Sequence, residues 1–475
     1  MAAVACAFPS LPLCCMLNIF ARLTCWERLR SRAVSRAWRA TLSNGLLWTD
    51  VNLSLKGGEK ASEAFLMAVG RVANGHIARL DFSGQMRRDE ETAEVSMRAL
   101  LLPALQTFLA AHAGTLRHLV LRHCKLSSEE ALLIFQAAPR EVEHVEMEVE
   151  CFFDEAKPLL CREAPFETLH LKSLRVLGRE SDDTHRLFDF PNESALSLAR
   201  DLARCACLER LALSYAPLCV PLVCEALSVA CLKLTKLTLA SCGLKPRSVP
   251  GLVFLISEGC LTGLSITNLC TAGILDDDGD EDDDDDAADE DDDFDDHHDI
   301  APLFDEPCGI AFGDALRANK TLISLELHFV RLWDVLPAAG PAVVNGIVGH
   351  PTLEKLDIGF NKVAAENRHM VGDVLGQLIS VPSALTFLSL SHCELSDVGL
   401  RPLFQALPSN AKLCVLSIFG DCKICTTEFT AEVLEAVRQN TSLRGLGFDD
   451  SMFPGLNTAM AFVKQRLRDK RASQS

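Results

Sequence analysis

One spacing recurs through most of this 475-residue chain, Leu-x-x-Leu-x-Leu-x-x-Cys/Asn-x-Leu. Its clearest copies are Leu116-Leu119-Leu121-Cys124-Leu126, Leu234-Leu237-Leu239-Cys242-Leu244 and Leu385-Leu388-Leu390-Cys393-Leu395, and Leu353-Leu356-Ile358-Asn361-Val363 is the Asn version. Weaker copies begin at Ile77, Val142, Leu208, Leu261, Leu322, Leu413 and Leu443, with a trace at Phe166. Starts 208, 234 and 261 lie 26 and 27 residues apart, and starts 353, 385, 413 and 443 lie 32, 28 and 30 apart. A unit of that length holds one strand and one return segment, and it buries its apolar face only against its neighbours. The chain therefore builds an elongated core, repeat upon repeat.

The spacing also sets the inside and the outside of each unit. Leu-x-Leu makes a short strand whose leucines point inward. The Cys or Asn ends the strand and can bond backbone groups of the turn. A helix returns along the outside: Ser396 to Leu407 has helical spacing, and so has Glu432 to Val437. Positions between and just after the inner leucines face the concave side, where a bound protein is expected. They are Arg122 with Val120, Ser214 with Ala212, Thr238 with Ala240, Glu326 with His328, Asp357 with Gly359, Ser389 with Ser391, and Phe419 with Ser417. Most are small or weakly polar, and the set contains neither an aromatic cluster nor a charge stripe. The periods and the Cys/Asn position resemble the long, ribonuclease-inhibitor-like class of leucine-rich repeat. The fold class implied is α/β, a solenoid with a curved parallel sheet inside and helices outside.

The first fifty residues follow a different rule. Pro12 suits a first helical turn, where its missing N–H costs nothing. Pro12, Met16, Ile19, Phe20 and Leu23 then make one apolar helical face. Thr24-Cys25-Trp26-Glu27 reads as a capping box opening a second helix, and Val34, Trp38 and Leu42 lie at i, i+4 and i+8. About forty residues of short helices cannot bury a full core alone, so they need an adjoining domain or a partner. A signal peptide is the poorer reading, because the start has no basic region and Pro9 and Pro12 interrupt it.

In order, Leu11-Pro12, Leu17-x-Ile19-Phe20-x-x-Leu23, Val34-Ser35-Arg36-x-Trp38-Arg39 and Leu47-Trp48 resemble an F-box. Cys14 stands where an acidic residue is common, and Arg28-Leu29 where Asp-Leu is common. The resemblance implies a small all-α domain that docks a Skp-type adaptor, and through it a cullin ubiquitin ligase. Leu11, Pro12, Ile19, Phe20, Val34 and Trp38 would face the adaptor or brace that face. Trp48, Val51 and Leu53 would splice the domain onto the first repeat. Cys-type repeats recur in F-box proteins, which joins the two resemblances. Together they imply the substrate-recognition subunit of a ubiquitin ligase, acting in ubiquitin-dependent protein degradation, with the repeats holding a protein substrate. The competing readings are a regulatory module similar to Ran GTPase-activating proteins and an acidic histone-binding scaffold.

Composition bounds the rest. Residues 276–299 hold 18 acidic residues and no Lys or Arg, which accounts for nearly all of the net charge of −19. Such a run buries nothing and reads as a solvated spacer extruded from the repeats; the alternative is a polyanionic arm for a basic protein. The nearly neutral remainder speaks against nucleic acid as a partner, and no apolar run reaches membrane-spanning length. Twenty cysteines without framework spacing read as reduced thiols of a cytoplasmic or nuclear protein. Cys422-x-x-Cys425 is a lone pair that reads as a packed turn rather than a metal site. No nucleotide, hydrolase or metalloprotease motif is present. The expectation is a non-catalytic protein without cofactor or metal. The domains expected are 1–50, F-box-like; 51–275, repeats; 276–300, acidic insert; 301–460, repeats; and 461–475, a basic tail.

Overall fold

Leucines spaced for inward-facing strands do form them, and the strands lie side by side in register. The computed structural model describes residues 12–53, 62–83, 95–126, 141–149, 171–178, 207–214, 233–268, 302–333, 338–420 and 426–448, with short pieces between them. The chain divides into two compact units, Met1–Arg179 with Arg200–Leu211, and Glu180–Ala199 with Ala212–Ser475. Leu11, Phe166, Cys422, Cys425, the acidic run and nearly all of the basic tail lie outside the described residues.

The first unit opens with helices α1 (Leu13–Ala21), α2 (Cys25–Ser31) and α3 (Arg36–Thr41) and a 3-10 turn at Gly45–Trp48. The strands that follow are β1 (Asp50–Asn52), β2 (Arg79–Asp81), β3 (His118–Leu126), β4 (His144–Val149) and β7 (Ser173–Gly178). A small antiparallel pair, β5 (Phe153–Asp154) and β6 (Lys157–Pro158), stands apart from them. Helices Glu63–Ala73 and Val95–Ala111 connect the first three strands. All pairings among β1, β2, β3, β4 and β7 are parallel, and they align Val51, Leu80, Leu119, Val145 and Leu174 into one buried row. Strand β7 is led by Leu171, with Leu174 and Val176 as its inner residues, so the repeat in this stretch starts five positions after the Phe166 expected from the spacing. Strand β8 (Arg210–Ser214) carries the division between the units.

In the second unit seven parallel strands alternate with helices: β9 (Lys236–Ala240), β10 (Gly263–Thr267), β11 (Ser324–His328), β12 (Lys355–Asp357), β13 (Phe387–Ser389), β14 (Val415–Ser417) and β15 (Gly445–Gly447). Leu237, Leu264, Leu325, Leu356, Leu388, Leu416 and Leu446 stand in register and are buried. Fully burying such a side chain stabilises by roughly 1.5–3 kcal/mol. The helices expected near Ser396 and Glu432 run Ser396–Ala406 and Thr427–Gln439. Both units are α/β with parallel strands.

The Cys or Asn of these repeats bonds backbone as its chemistry suggests, although β3 runs on through Cys124 to Leu126 instead of ending there. Cys393 Sγ donates to the Ile358 carbonyl at 3.3 Å, and Cys242 and Cys124 make equivalent bonds at 3.5 Å to Leu213 and Phe82. Asn361 does more: its amide donates to the Leu327, Ile358 and Gly359 carbonyls, while its oxygen accepts from the Val330 and Leu332 amides. A second set of polar residues closes the helix ends of this unit. Asn319, Asn410 and Asn440 each donate to a carbonyl of an earlier repeat and accept from the amide of the next inner leucine, Leu322, Leu413 or Leu443. His350 takes that place before Leu353.

Candidate functional site

The N-terminal helices are held together from behind by one arginine. Arg28 Nε donates to the Phe20 carbonyl at 3.0 Å, one Nη to Ala21 at 2.9 Å, and the other Nη to Leu47. It therefore joins α2 to the end of α1 and to the 3-10 turn, with Trp48 beneath the guanidinium at 5.9 Å. This residue, with Leu29, stands where Asp-Leu is common in an F-box, and it is buried. Phe20 is buried as well and meets Trp38 edge to face at 5.2 Å, so the two aromatics tie α1 to α3. Trp48 is fully buried, its indole N–H bonded to the Leu42 carbonyl at 2.7 Å, and Val51 and Leu53 after it are also inside. Trp26 stacks on Phe65 of the first connecting helix at 3.4 Å. The caps follow from sequence: Thr24 and Glu27 form the reciprocal capping box, and Ser35 accepts from the Trp38 amide at 3.1 Å.

What these interior contacts leave outside is apolar. Pro12 and Ile19 are exposed, Val34 is 64% exposed, and so are Leu13 and Leu46, the latter at 73%. Of the adaptor-facing residues expected from sequence, Pro12, Ile19 and Val34 thus lie at the surface; Phe20 stands behind it and Trp38 half behind it. Leu13 and Leu46 were missed, because only their neighbours carried the motif. Large apolar residues left in water mark contact surfaces.

The strand faces of the repeats carry more chemistry than their small residues suggested. In the first unit the register aligns Arg79, His118, His144 and Ser173. The Arg210 amide donates to the Lys172 carbonyl, as the His144 amide does to Arg117, so Arg210 continues that row. The next row is Asp81, Val120, Glu146 and Arg175. Arg122 Nη2 donates to Glu146 at 2.6 Å and Arg175 meets the same carboxylate at 3.2 Å. Glu146 keeps 15% of its side chain exposed, against 46% for Arg122 and 50% for Arg175. The imidazoles of His118 and His144 stack at 4.2 Å. Burial holds the His118 pKa below its usual value, with help from the Arg79 charge; burial, His118 and Arg210 do the same for His144. This is a charge stripe, contrary to expectation. Of its charged residues only Arg122 was marked in advance, because the first position of each strand was left out and no concave positions were read for the weaker repeats at Ile77, Val142 and Phe166.

In the second unit Thr238, Ser265, Glu326, Asp357, Ser389 and Ser417 share one row. Glu326 pairs with Lys355, and His328 Nε2 lies 3.0 Å from Asp357. Burial raises the Asp357 pKa, but bonds from His328, Gly359 and Ser389 outweigh it and the carboxyl is held low. Ser389 is buried by these neighbours; Ser214 and Thr238 are half-buried, and Phe419 is exposed. An aromatic line was also missed. Phe329, Phe360 and His392 stack at 4.6 and 4.5 Å, each in left-handed backbone just before the strand-ending residue. Ser241 and Gly420 share that position and conformation, so the turn itself imposes it and the side chain is free to vary. The repeat template leaves that place as x, which is why the rings escaped notice.

Among the described residues no group of three or more His, Cys, Asp or Glu side chains could hold a metal ion, and no helix is long and apolar enough to cross a membrane. The described cysteines are free thiols.

Comparison with known proteins agrees with this division. The F-box domain model matches residues 8–50, and a leucine-rich repeat model matches residues 383–404. No curated protein matches the chain. Solved structures similar to it include an internalin of Listeria monocytogenes, at 13% identity and TM-score 0.41 over 87% of this chain and 85% of that one. The leucine-rich repeat-containing protein LegL7 of Legionella pneumophila is 16% identical at TM-score 0.34, over 65% of this chain and 82% of that one. The tropomodulin C-terminal domain of Caenorhabditis elegans is 15% identical at TM-score 0.30, over 36% and 99%. At such scores these structures carry no argument about function. The chain thus carries an F-box domain over α1–α3 and, among the strand-and-helix units after it, a leucine-rich repeat at 383–404.

Proposed function

We propose that the chain is the substrate-recognition subunit of a Skp–cullin–F-box-type ubiquitin ligase, working in the cytoplasm, the nucleus or both. The observation that carries this reading is the N-terminal helical layer, in which Arg28, Phe20, Trp38 and Trp48 are drawn inward while Pro12, Leu13, Ile19, Val34 and Leu46 stay in water. F-box domains in general bind Skp-type adaptors, and an apolar face with a rigid backing suits such docking. Leu11, Pro12, Ile19 and Val34 meet the adaptor, with Phe20 and Trp38 as the bracing layer. The repeats, 51–275 and 301–460, hold a protein substrate, and the acidic run between them serves as a solvated spacer. The chain itself does no bond chemistry. By holding a substrate lysine near a charged conjugating enzyme it raises the effective concentration of the two reactants.

Co-purification with the adaptor tests this. The wild-type chain should retain the adaptor, and the double variant Ile19→Asp/Val34→Asp should lose it, each charge destroying an apolar contact at an exposed position where folding is unaffected. Phe20→Asp is the wrong test, since it buries a charge and unfolds the domain. A wild-type chain that never retains the adaptor would refute the reading.

A further inference from the structure

We infer that the strand face of the first unit holds an acidic segment, rich in Asp or Glu, of a protein partner. This rests on the reading of the repeats as the substrate-holding surface and supplies the class of substrate. The observations are the sign of the exposed charge and its rigidity. Arg79, Arg122, Arg175 and Arg210 are all exposed on this face. The acids among them are mostly engaged from within. Asp81 Oδ1 accepts the Ser83 hydroxyl at 2.6 Å and its amide at 3.1 Å. Glu146 is shared by two guanidiniums, and Glu143 is taken by Lys172 at 2.8 Å. Asp50, the more exposed acid, lies on the outermost strand β1, 3.9 Å from Arg79.

At the Glu146 row a ligand approaching β3, β4 and β7 therefore meets the guanidinium edges of Arg122 and Arg175 before that carboxylate. Each guanidinium has five N–H donors, and the contact with Glu146 occupies few of them. One carboxylate between two arginines leaves a net positive charge and holds both heads in place. A ligand carboxylate then finds planar donor forks already oriented, at small cost in side-chain freedom. Between the arginines of the first row lie the stacked rings of His118 and His144, a flat floor edged by Glu143, whose carboxylate is 4.0 Å from His144 Nε2 and is held by Lys172. Four strands, β2, β3, β7 and β8, each present one such arginine, which suits an extended acidic peptide running across them rather than a single small anion.

The test is binding of a short fluorescent glutamate-rich peptide to the full chain, beside a glutamine peptide of the same length. The glutamate peptide should bind and the glutamine one should not, with affinity falling as salt rises from about 0.05 to about 0.3 M. Arg175→Gln should weaken binding about tenfold, as expected for loss of one charge-assisted pair. Arg210→Gln, which leaves the Glu146 clasp intact, should weaken it several-fold with an unchanged melting curve. Equal binding of the two peptides, binding unaltered in both variants, or binding only of a phosphorylated peptide would overturn the inference. Adaptor retention should be the same in wild type, Arg175→Gln and Arg210→Gln. Loss of peptide discrimination with the adaptor retained refutes the acidic partner alone, whereas a chain that binds the acidic peptide but no adaptor refutes the ligase reading alone.

Discussion

Single polar side chains decide how the apolar rows are closed. Asn361 satisfies five backbone groups of two repeats, and it is almost wholly buried. Asn361→Ala strands the Val330 and Leu332 amides and several carbonyls; with each orphaned group costing roughly 1–3 kcal/mol, about 3–5 kcal/mol should be lost. Thermal or denaturant unfolding measures it, and a loss under about 1 kcal/mol would mean that water takes over these bonds. The Asn at this place was legible in the sequence as part of the repeat. Arg28 was not. A buried cation bonded to three carbonyls looks, in one dimension, like any surface arginine beside Arg30 and Arg32, because the acceptors are main-chain oxygens 7, 8 and 19 residues away.

Between elements, the outer helices of the second unit touch through glycine. A side chain at Gly346 would overlap the Gly313 carbonyl, and one at Gly313 would overlap Ala342, so helices Glu306–Ala318 and Ala339–Ile347 meet backbone to backbone. Gly346→Val should force them apart, at a cost of about 1–3 kcal/mol or more, seen as a lowered melting temperature and faster proteolysis of this unit. An unchanged melt would show that the helices can separate freely. The inner strands were legible because leucine at fixed spacing leaves few alternatives. This helix contact was not, since glycine within a helical pattern reads as a weak helix former until the neighbouring helix is known. The same holds for the arginines of β3 and β7: each is an ordinary exposed cation until the parallel register sets both against Glu146.

At the scale of the whole molecule, four histidines among the described residues link stability to pH. His112, His118, His144 and His350 are all held below the usual imidazole value, with burial the leading cause in each. Between the lowered folded value and the unfolded value of about 6.5, the unfolded chain binds more protons, so stability rises with pH. It is fully present above about 6.5 and is lost as pH falls toward the folded values. The melting temperature should therefore drop between about pH 7.5 and about pH 5.5. His350→Asn should flatten that drop while keeping the bond to Leu353, since Asn319, Asn410 and Asn440 do the same work in neighbouring repeats. A drop of equal size in the variant would remove His350 from the account. The sequence by itself determined the repeat, the inward leucines, the strand-ending Cys and Asn and the capped N-terminal helices, because these depend on spacing within one or two turns of chain. Only the tertiary structure decided which large residues stay in water, that Phe20 lies inside while Leu46 lies out, and that Arg122, Glu146 and Arg175 meet. Those outcomes depend on which strand or helix comes to lie beside which, and contacts across repeats of nearly thirty residues leave no local trace.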